Sequence, residues 1–448
     1  MSIQLSDHFN YGRLFRFCLP PIVMMVFTSI YSVVDGFFVS NWAGKTAFSA
    51  VNLIYPFIAI LGGVGFMLGS GGSALVGKTL GQGDKQRANR YFSTLVAAVA
   101  VAGAALSAVG IVFLPAVARL LGATGEMLEG CVVYGRIILA FNTCFMLQNL
   151  FMTFLTTAQK PQLGLACTVA AGVTNIALDA LFVAAFQWGI VGAALATGLS
   201  QTVGGVLPLI YFLRPNDSLL RLTRPRLEVP ALLQACGNGA SELMSNISGP
   251  LVSMVYNLQL MRLAEGAGVA KEDGVAAYGV LMYVGFIFVA IFIGYTIGTA
   301  PIISYHYGAQ DSAEVRNVLK KSLLVMAVTG LAMAALAFSC AGPIAQVFVG
   351  YDDALCALTR HAFHIVCIHF LFAGVNIFAS SFFTALNNGA VSALISFLRT
   401  LVLQMAAGLL LPMVFGMEGV WWAWVAAEAG AFVLSLTFLL AKRKKYGY

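Results

Sequence analysis

Ser322-Leu-Leu-Val-Met-Ala-Val-Thr-Gly-Leu-Ala-Met-Ala-Ala-Leu-Ala-Phe-Ser-Cys-Ala-Gly-Pro-Ile-Ala-Gln346 is the stretch that decides the fold. It holds no charged residue. A helix needs about 20 such residues to cross the hydrocarbon core of a bilayer. In lipid every backbone amide must be satisfied within the protein, so only helices or closed barrels span it. Barrel strands alternate polar and apolar residues over about ten positions. This run does not alternate, so it reads as a helix.

Comparable runs fill the rest of the 448 residues, which are 60% hydrophobic and 10% charged. Soluble domains carry about 25% charged residues. Apolar runs and their breakers predict twelve spans: 14–40, 48–77, 92–120, 129–158, 163–186, 190–213, 231–261, 275–304, 322–348, 356–386, 391–413 and 419–441. Arg13 and Arg16 precede an apolar stretch that Pro20 and Pro21 interrupt and no A-x-A site follows, so the first span is expected to be retained.

The net charge of +7 is carried in short loops, which argues against a nucleic-acid partner. With the N-terminus in the cytoplasm, 18 of 25 Lys and Arg fall on the cytoplasmic side. These are Arg13, Arg16, Lys78, Lys85, Arg87, Arg90, Lys160, Arg214, Arg221, Arg224, Arg226, Arg316, Lys320, Lys321 and Lys442 to Lys445. Lys45, Arg119, Arg136, Arg262, Lys271 and Arg360 fall opposite, and Arg399 lies within a span. The excess predicts a multi-pass protein of the cytoplasmic (inner) membrane with both termini in the cytoplasm. The eight cysteines lie mostly in apolar runs without a C-x-x-C, so neither a zinc site nor a disulfide framework is expected.

The chain also matches itself at a shift of 227 residues. Ala50 falls on Ala277, Gly71 on Gly298, Gly81 on Gly308, Asp84 on Asp311, Asn149 on Asn376, Phe151 on Phe378, Ala158 on Ala385 and Gly192 on Gly419. Before Ala50 the second copy carries about five extra residues, within Ala264–Gly274. Each copy has six spans, so both cross the membrane in the same sense. Such parallel repeats place transport sites near the repeat interface. The expected organisation is an N-lobe (1–213), a basic linker (214–230) and a C-lobe (231–448) around a central cavity.

Charged residues deep in a span are costly and mark function. Asp35 and Asp179 sit on the outward-running first and fifth spans, each about 24–27 Å from its cytoplasmic start. Asn175 shares a helix face with Asp179, and Thr197 on the sixth span reaches a comparable depth. Two carboxylates crowded at low dielectric resist double ionisation, so such a pair can carry a proton. Lined with carbonyl and hydroxyl oxygens, the same cluster can hold sodium. The alternative is two separately neutralised structural acids.

Pro20 and Pro21 read either as ordinary first-turn prolines or as a bend point. On the seventh span, Glu242 with Asn257 is a candidate second cation site. Glu428 reads as structural, as do His361, His364 and His369, which no intramembrane acid accompanies. Trp421, Trp422 and Trp424 fit an interfacial aromatic belt. Six glycines between Gly62 and Gly72 permit close helix packing. Gly72-Ser-Ala-Leu-Val-Gly77-Lys78-Thr79 matches a phosphate loop in form, but it ends a membrane helix with no strand before it.

Val34-Asp35-Gly-Phe-Phe-Val, Gly81-Gln-Gly-Asp84, Asn175-Ile-Ala-Leu-Asp179 and Gly308-Ala-Gln-Asp311 follow in an order and spacing that resembles the multidrug and toxic compound extrusion (MATE) family across essentially the whole chain. The resemblance implies an all-α membrane protein of two pseudo-symmetric six-helix lobes and drug–cation antiport by alternating access. It implies an N-lobe coupling cluster of Asp35, Asn149, Asn175, Asp179 and Thr197, and a first-helix bend near Pro20 or Pro21. In other members of the family a C-lobe sodium site pairs a seventh-span Glu with a tenth-span Asp. Glu242 fills the first position, but the tenth span offers only histidines. The expected partners are a small lipophilic or cationic organic substrate and membrane lipid. The coupling ion is H⁺ or Na⁺, with no cofactor, no bound metal and no enzymatic activity expected of the monomer. A flippase of lipid-linked precursors is the rival. It would need more basic residues within the spans than Arg399.

Overall fold

In the computed structural model the described residues are 3–264, 266 and 268–448, and the side chains of Lys45 and Lys271 are not among them. Glu265 and Ala267, inside the expected extra segment of the second half, therefore lie outside the described residues. Among the described residues twelve long helices follow in order. The first six are α1 Tyr11–Ala43, α2 Lys45–Gly81, α3 Lys85–Leu120, α4, α5 Pro161–Ala185 and α6 Gly189–Leu213. The second six are α7 Val229–Leu263, α8 Lys271–Gly308, α9 Ser312–Val349, α10 Asp353–Ala385, α11 Gly389–Phe415 and α12 Met417–Tyr446. Helix α4 is a broken span, Gly125–Ala140 then Asn142–Thr157, bent by 54°.

Ten of these helices, and α4 as an eleventh, are long and apolar enough to cross a membrane. Helix α7 is the exception, because Gln234, Asn238, Ser241, Glu242, Asn246 and Asn257 interrupt its apolar surface. The helices also start earlier than the apolar runs. Helix α3 begins at Lys85 because Asp84 accepts a hydrogen bond from the Arg87 amide (2.9 Å). Helix α9 begins at Ser312 because Asp311 accepts one from the Glu314 amide (3.1 Å). Both acids satisfy amides that a helix N-terminus leaves unpaired. Apolar patterning cannot see these polar first turns.

The two lobes, α1–α6 and α7–α12, meet backbone to backbone at the end that carries both termini. A side chain at Gly71 of α2 would run into the Ala235 carbonyl of α7, and one at Gly239 of α7 into the Met67 carbonyl of α2. Gly81 of α2 lies against the Tyr305 carbonyl of α8, and Gly308 of α8 against the Lys78 carbonyl of α2. Helix α1 packs on α8 in the same way, with Gly298 on Cys18 and Gly294 on the Pro21 carbonyl. The repeated Gly-x-x-Asp motifs thus serve two purposes: the glycine seats the opposite lobe, and the acid caps the next helix.

The chain before α1 adds a strap. Leu5 and Phe9 are fully buried among C-lobe residues. The Phe9 amide donates to Glu314 Oε1 (2.9 Å), and Lys321 Nζ donates to the Phe9 carbonyl (2.7 Å). Among the described residues, every hydrogen bond joining residues 3–213 to residues 231–448 comes from this strap or from Asn387 Nδ2 to the Ala74 carbonyl (3.1 Å). All lie at the terminus-bearing end. Toward the other end no hydrogen bond among the described residues joins the lobes, which leaves them free to part as a cleft there.

Three residues on the cleft side show its character. Asp35, Tyr55 and Glu242 are surrounded by protein mass yet solvent-accessible, as residues lining a water-filled cleft are. The formal phosphate-loop match lies wholly inside α2. The tryptophans do not form one belt. Adjacent helix positions point about 100° apart, so Trp421 is buried at 1% exposure while Trp422 is 43% exposed. Trp424 packs against Tyr256, Tyr278 and His369 inside the C-lobe.

Candidate functional site

Helix α1 continues through Pro20 and Pro21 as one helix, with both prolines buried in its interior rather than in a first turn. Each removes an amide donor, leaving the carbonyls of Arg16 and Phe17 without their usual partners. Pro21 is also where α1 touches Gly294 of the opposite lobe. The weak point of α1 therefore lies on the seam between lobes.

Further along α1, Asp35 lies a few residues before a π-turn at Val39–Ala43. On α5, Asp179 directly precedes a second π-turn, Ala180–Ala185. Such turns are rare and concentrate at functional sites. The folding of α1, α5 and α6 against one another brings Asp35, Asn175, Asp179 and Thr197 together. Thr197 Oγ1 donates to Asp35 Oδ1 (3.3 Å). Asp179 is fully buried, and neither of its carboxylate oxygens receives an N–H or hydroxyl donor. What lies against it is the Asp35 carboxyl. Two carboxylates can bond each other only when one holds a proton. The arrangement can therefore share a proton or accept a cation, and among the described residues no basic side chain pairs with it.

The α4 contribution differs from the expectation. Asn149 makes no hydrogen bond to the cluster, and its Nδ2 is buried without a partner. Its neighbour Gln148 approaches Tyr31, one turn before Asp35 on α1. Tyr31, Tyr55 and Tyr134 lie within electrostatic reach of Asp35, and Tyr55 is 60% exposed to the cleft. Tyr31 was readable from its i−4 spacing to Asp35. Tyr55, Tyr134 and Gln148 come from α2 and α4, and no local pattern connects them to an acid on α1. Buried oxygens of Asn142, Gln148, Asn175 and Gln201 also lack partners. Buried polar atoms are rarely left so unless water or an ion completes them.

The C-lobe has a different constitution. Glu242 and Asn257 are 15 residues apart on the continuous helix α7, about 22 Å along its axis, so they do not share a site. The Glu242 carboxylate accepts no hydrogen bond among the described residues, whereas its carbonyl accepts from Asn246 Nδ2 (2.8 Å). Glu428 on α12 is held by Arg399 on α11. Arg399 Nε lies 2.9 and 3.0 Å from its two oxygens, and a terminal nitrogen lies 2.9 Å from Oε1. Asn376 Nδ2 donates to Glu428 Oε2 (2.7 Å) and to the Glu428 carbonyl (2.9 Å). The three α10 histidines do not converge. His361 meets Glu418 (2.7 Å), His364 stacks on Phe338, and His369 Nδ1 lies 2.6 Å from the Val366 carbonyl.

The family model MatE matches residues 20–181 and again 243–410, once in each half. The chain belongs to the MATE transporter family. It is similar to the "Multidrug export protein MepA" of Staphylococcus saprophyticus, 24% identical over 92% of this chain and 90% of the relative. The protein of the same name from Staphylococcus aureus is 23% identical over 94% and 91%. Among solved structures, a "MATE in complex with MaL6" superposes with a TM-score of 0.93 at 20% identity, covering 100% of this chain and 99% of the other. An "outward-facing conformation of a multidrug resistance MATE family transporter of the MOP superfamily" gives 0.90 at 20% identity, covering 97% and 96%. These likenesses establish the MATE fold: an all-α membrane protein of twelve helices in two lobes.

Proposed function

We propose that this MATE-family chain is a secondary antiporter that exports small lipophilic or cationic organic compounds in exchange for H⁺ or Na⁺. The observation that carries the reading is the Asp35–Asp179 pair, two neighbouring carboxyls with no basic side chain beside them among the described residues. An ion entering that pair removes its repulsion. The same charge attracts a cationic substrate into the cleft, where Tyr55 offers an aromatic face. Protonation or sodium binding then weakens the hold on the cargo and favours its release. The names of the curated relatives, both multidrug export proteins, support the substrate class.

The excess of Lys and Arg in the loops on the terminus-bearing side supports a reading with both termini in the cytoplasm, in which the open cleft faces outward. This is the state that releases cargo. Return to the inward-open state requires the glycine seam and the N-terminal strap to part. Pro20 and Pro21, on that seam, are the place where α1 bends. The protein acts as a monomer, with residues 1–213 and 231–448 as its two moving bodies. Glu242, solvent-accessible and without a basic partner among the described residues, is a further carboxylate within the C-lobe spans available to a cation or substrate. The flippase reading is weaker, because Arg399 is already occupied by Glu428.

The test is ethidium efflux from proteoliposomes under a proton gradient or a sodium gradient imposed separately. Efflux under either gradient, lost in Asp35→Asn, is the expected result. Efflux undiminished in an Asp35→Asn, Asp179→Asn double variant would refute the N-lobe mechanism.

A further inference from the structure

The 227-residue shift sets three positions of the N-lobe against three of the C-lobe: Asn149 against Asn376, Gly172 against Arg399, and Gln201 against Glu428. In the N-lobe the set is uncharged. Asn149 Nδ2 and Gln201 Oε1 are buried without partners. No side chain fits at Gly172, since a Cβ there would press into the rings of Phe27 and Tyr31. In the C-lobe the sizes are exchanged. With the five-residue offset that precedes Ala50, Phe27 and Tyr31 correspond to Gly249 and Ser253, and a Cβ at Gly249 would meet nothing within 4 Å. The large side chain moves to α11 as Arg399. It stands on the π-turn Leu398–Leu403, a third such turn beside those of the N-lobe acids.

The guanidinium meets a receptor built for a cation. Glu428 is 4% exposed and Asn376 fully buried. Asn376 spends its amide nitrogen on Glu428, which leaves Oδ1 buried with no partner. A carboxylate and an amide oxygen are hard ligands of the kind that hold hard cations. The charged and titratable groups facing Glu428 are Arg399 from α11, His369 from α10 and Tyr256 from α7. Without Arg399 the buried carboxylate faces only the buried His369 ring as a group able to carry positive charge, and an uncompensated buried charge is too costly to persist. It must recruit a countercharge.

We infer that Arg399 is a tethered counter-cation filling a latent C-lobe site, formed by Glu428 and Asn376, for a monovalent cation (an alkali ion or a proton). Its presence confines ion coupling to the N-lobe and so determines how many ions move per cycle. The confinement rests on the N-lobe reading above, whereas the latent site does not.

The test separates the two by using full-length protein carrying Asp35→Asn and Asp179→Asn. Thermal unfolding is followed while NaCl replaces choline chloride at constant ionic strength, and separately across a pH series without sodium. A ligand bound only by the folded state raises Tm with its concentration. In this parent, Tm is expected to stay flat with sodium. Adding Arg399→Ala should produce a rise of about 2–4 °C with saturating Na⁺, or on acidification if a proton is the occupant. Adding Glu428→Gln should cancel that rise, and Arg399→Lys, which keeps a tethered cation, should behave as the parent. If the Arg399→Ala protein unfolds in choline, recovery of a monodisperse population with Na⁺ or acid gives the same support. An Arg399→Ala protein that neither ion stabilises, or a rise of equal size in the parent, would overturn the inference. Failure of the N-lobe reading would show instead as undiminished efflux in the Asp35→Asn, Asp179→Asn protein.

Discussion

The two lobes descend from one six-helix plan and handle buried acid in opposite ways. The N-lobe places two carboxyls in contact and supplies only Asn175, Thr197 and nearby tyrosines. The C-lobe buries one carboxylate and holds it with a guanidinium. A buried charge must be compensated. In the proposed reading the N-lobe leaves the compensation to a mobile ion, whereas the C-lobe holds Glu428 with Arg399. Repetition of the fold therefore does not imply repetition of the site. One exchange of sizes, Gly172 with Phe27 and Tyr31 against Arg399 with Gly249 and Ser253, accompanies the difference.

The largest effect expected from this comparison is on transport. Asp35→Asn or Asp179→Asn alone should reduce gradient-driven ethidium efflux to the level of empty proteoliposomes. The paired change Arg399→Met with Glu428→Leu should leave efflux measurable, because it removes a charge and its countercharge together. Equal loss in both would erase the distinction between lobes. Next comes stability. Arg399→Met or Glu428→Leu alone breaks a buried ion pair and should cost about 3–5 kcal/mol, while the double variant lies much closer to wild type. Denaturant unfolding of the four proteins as a double-mutant cycle reads this directly.

A smaller cost is expected at Gly172. Gly172→Ala forces a methyl into the Phe27 and Tyr31 rings and should destabilise by about 1–3 kcal/mol. The same added volume at Gly249 in the C-lobe should be tolerated, and a matching loss there would break the size-exchange argument. The smallest effect is Thr197→Val. It removes one hydrogen bond to Asp35, worth about 0.5–1.5 kcal/mol, so the ion concentration for half-maximal efflux should shift by no more than about tenfold.

The spans were legible because hydropathy accumulates along one continuous segment. Helix α7 was legible as the span 231–261 although polar residues interrupt it; Asn238 and Ser241 turn to Asn387 and Thr384 of their own lobe, and Glu242 stays solvent-accessible. The helix starts at Lys85 and Ser312 were missed by seven and ten residues, because capping acids and charged first turns carry no apolar signal. Asp35, Asn175, Asp179 and Thr197 could be matched in depth by counting 1.5 Å per residue. The same counting separates Glu242 from Asn257. Counting gives height along a helix but not rotation about its axis, so it could not show that Gln148, rather than Asn149, approaches Tyr31.

By itself the sequence determined that this is a twelve-span membrane protein, duplicated at 227 residues, with two acids at one depth in its first half. Those features are local or periodic, and each is written in a single segment or a single shift. Only the tertiary structure decided which buried acid is already neutralised. Arg399 and Glu428 are 29 residues apart on different helices. Their meeting depends on how α11 and α12 are rotated and packed around Asn376. The closure of the cleft at the terminus-bearing end was decided at the same level. Gly71, Gly239, Gly81 and Gly308 act there through the backbones they allow to touch, and a glycine does not name its partner until the helices are assembled.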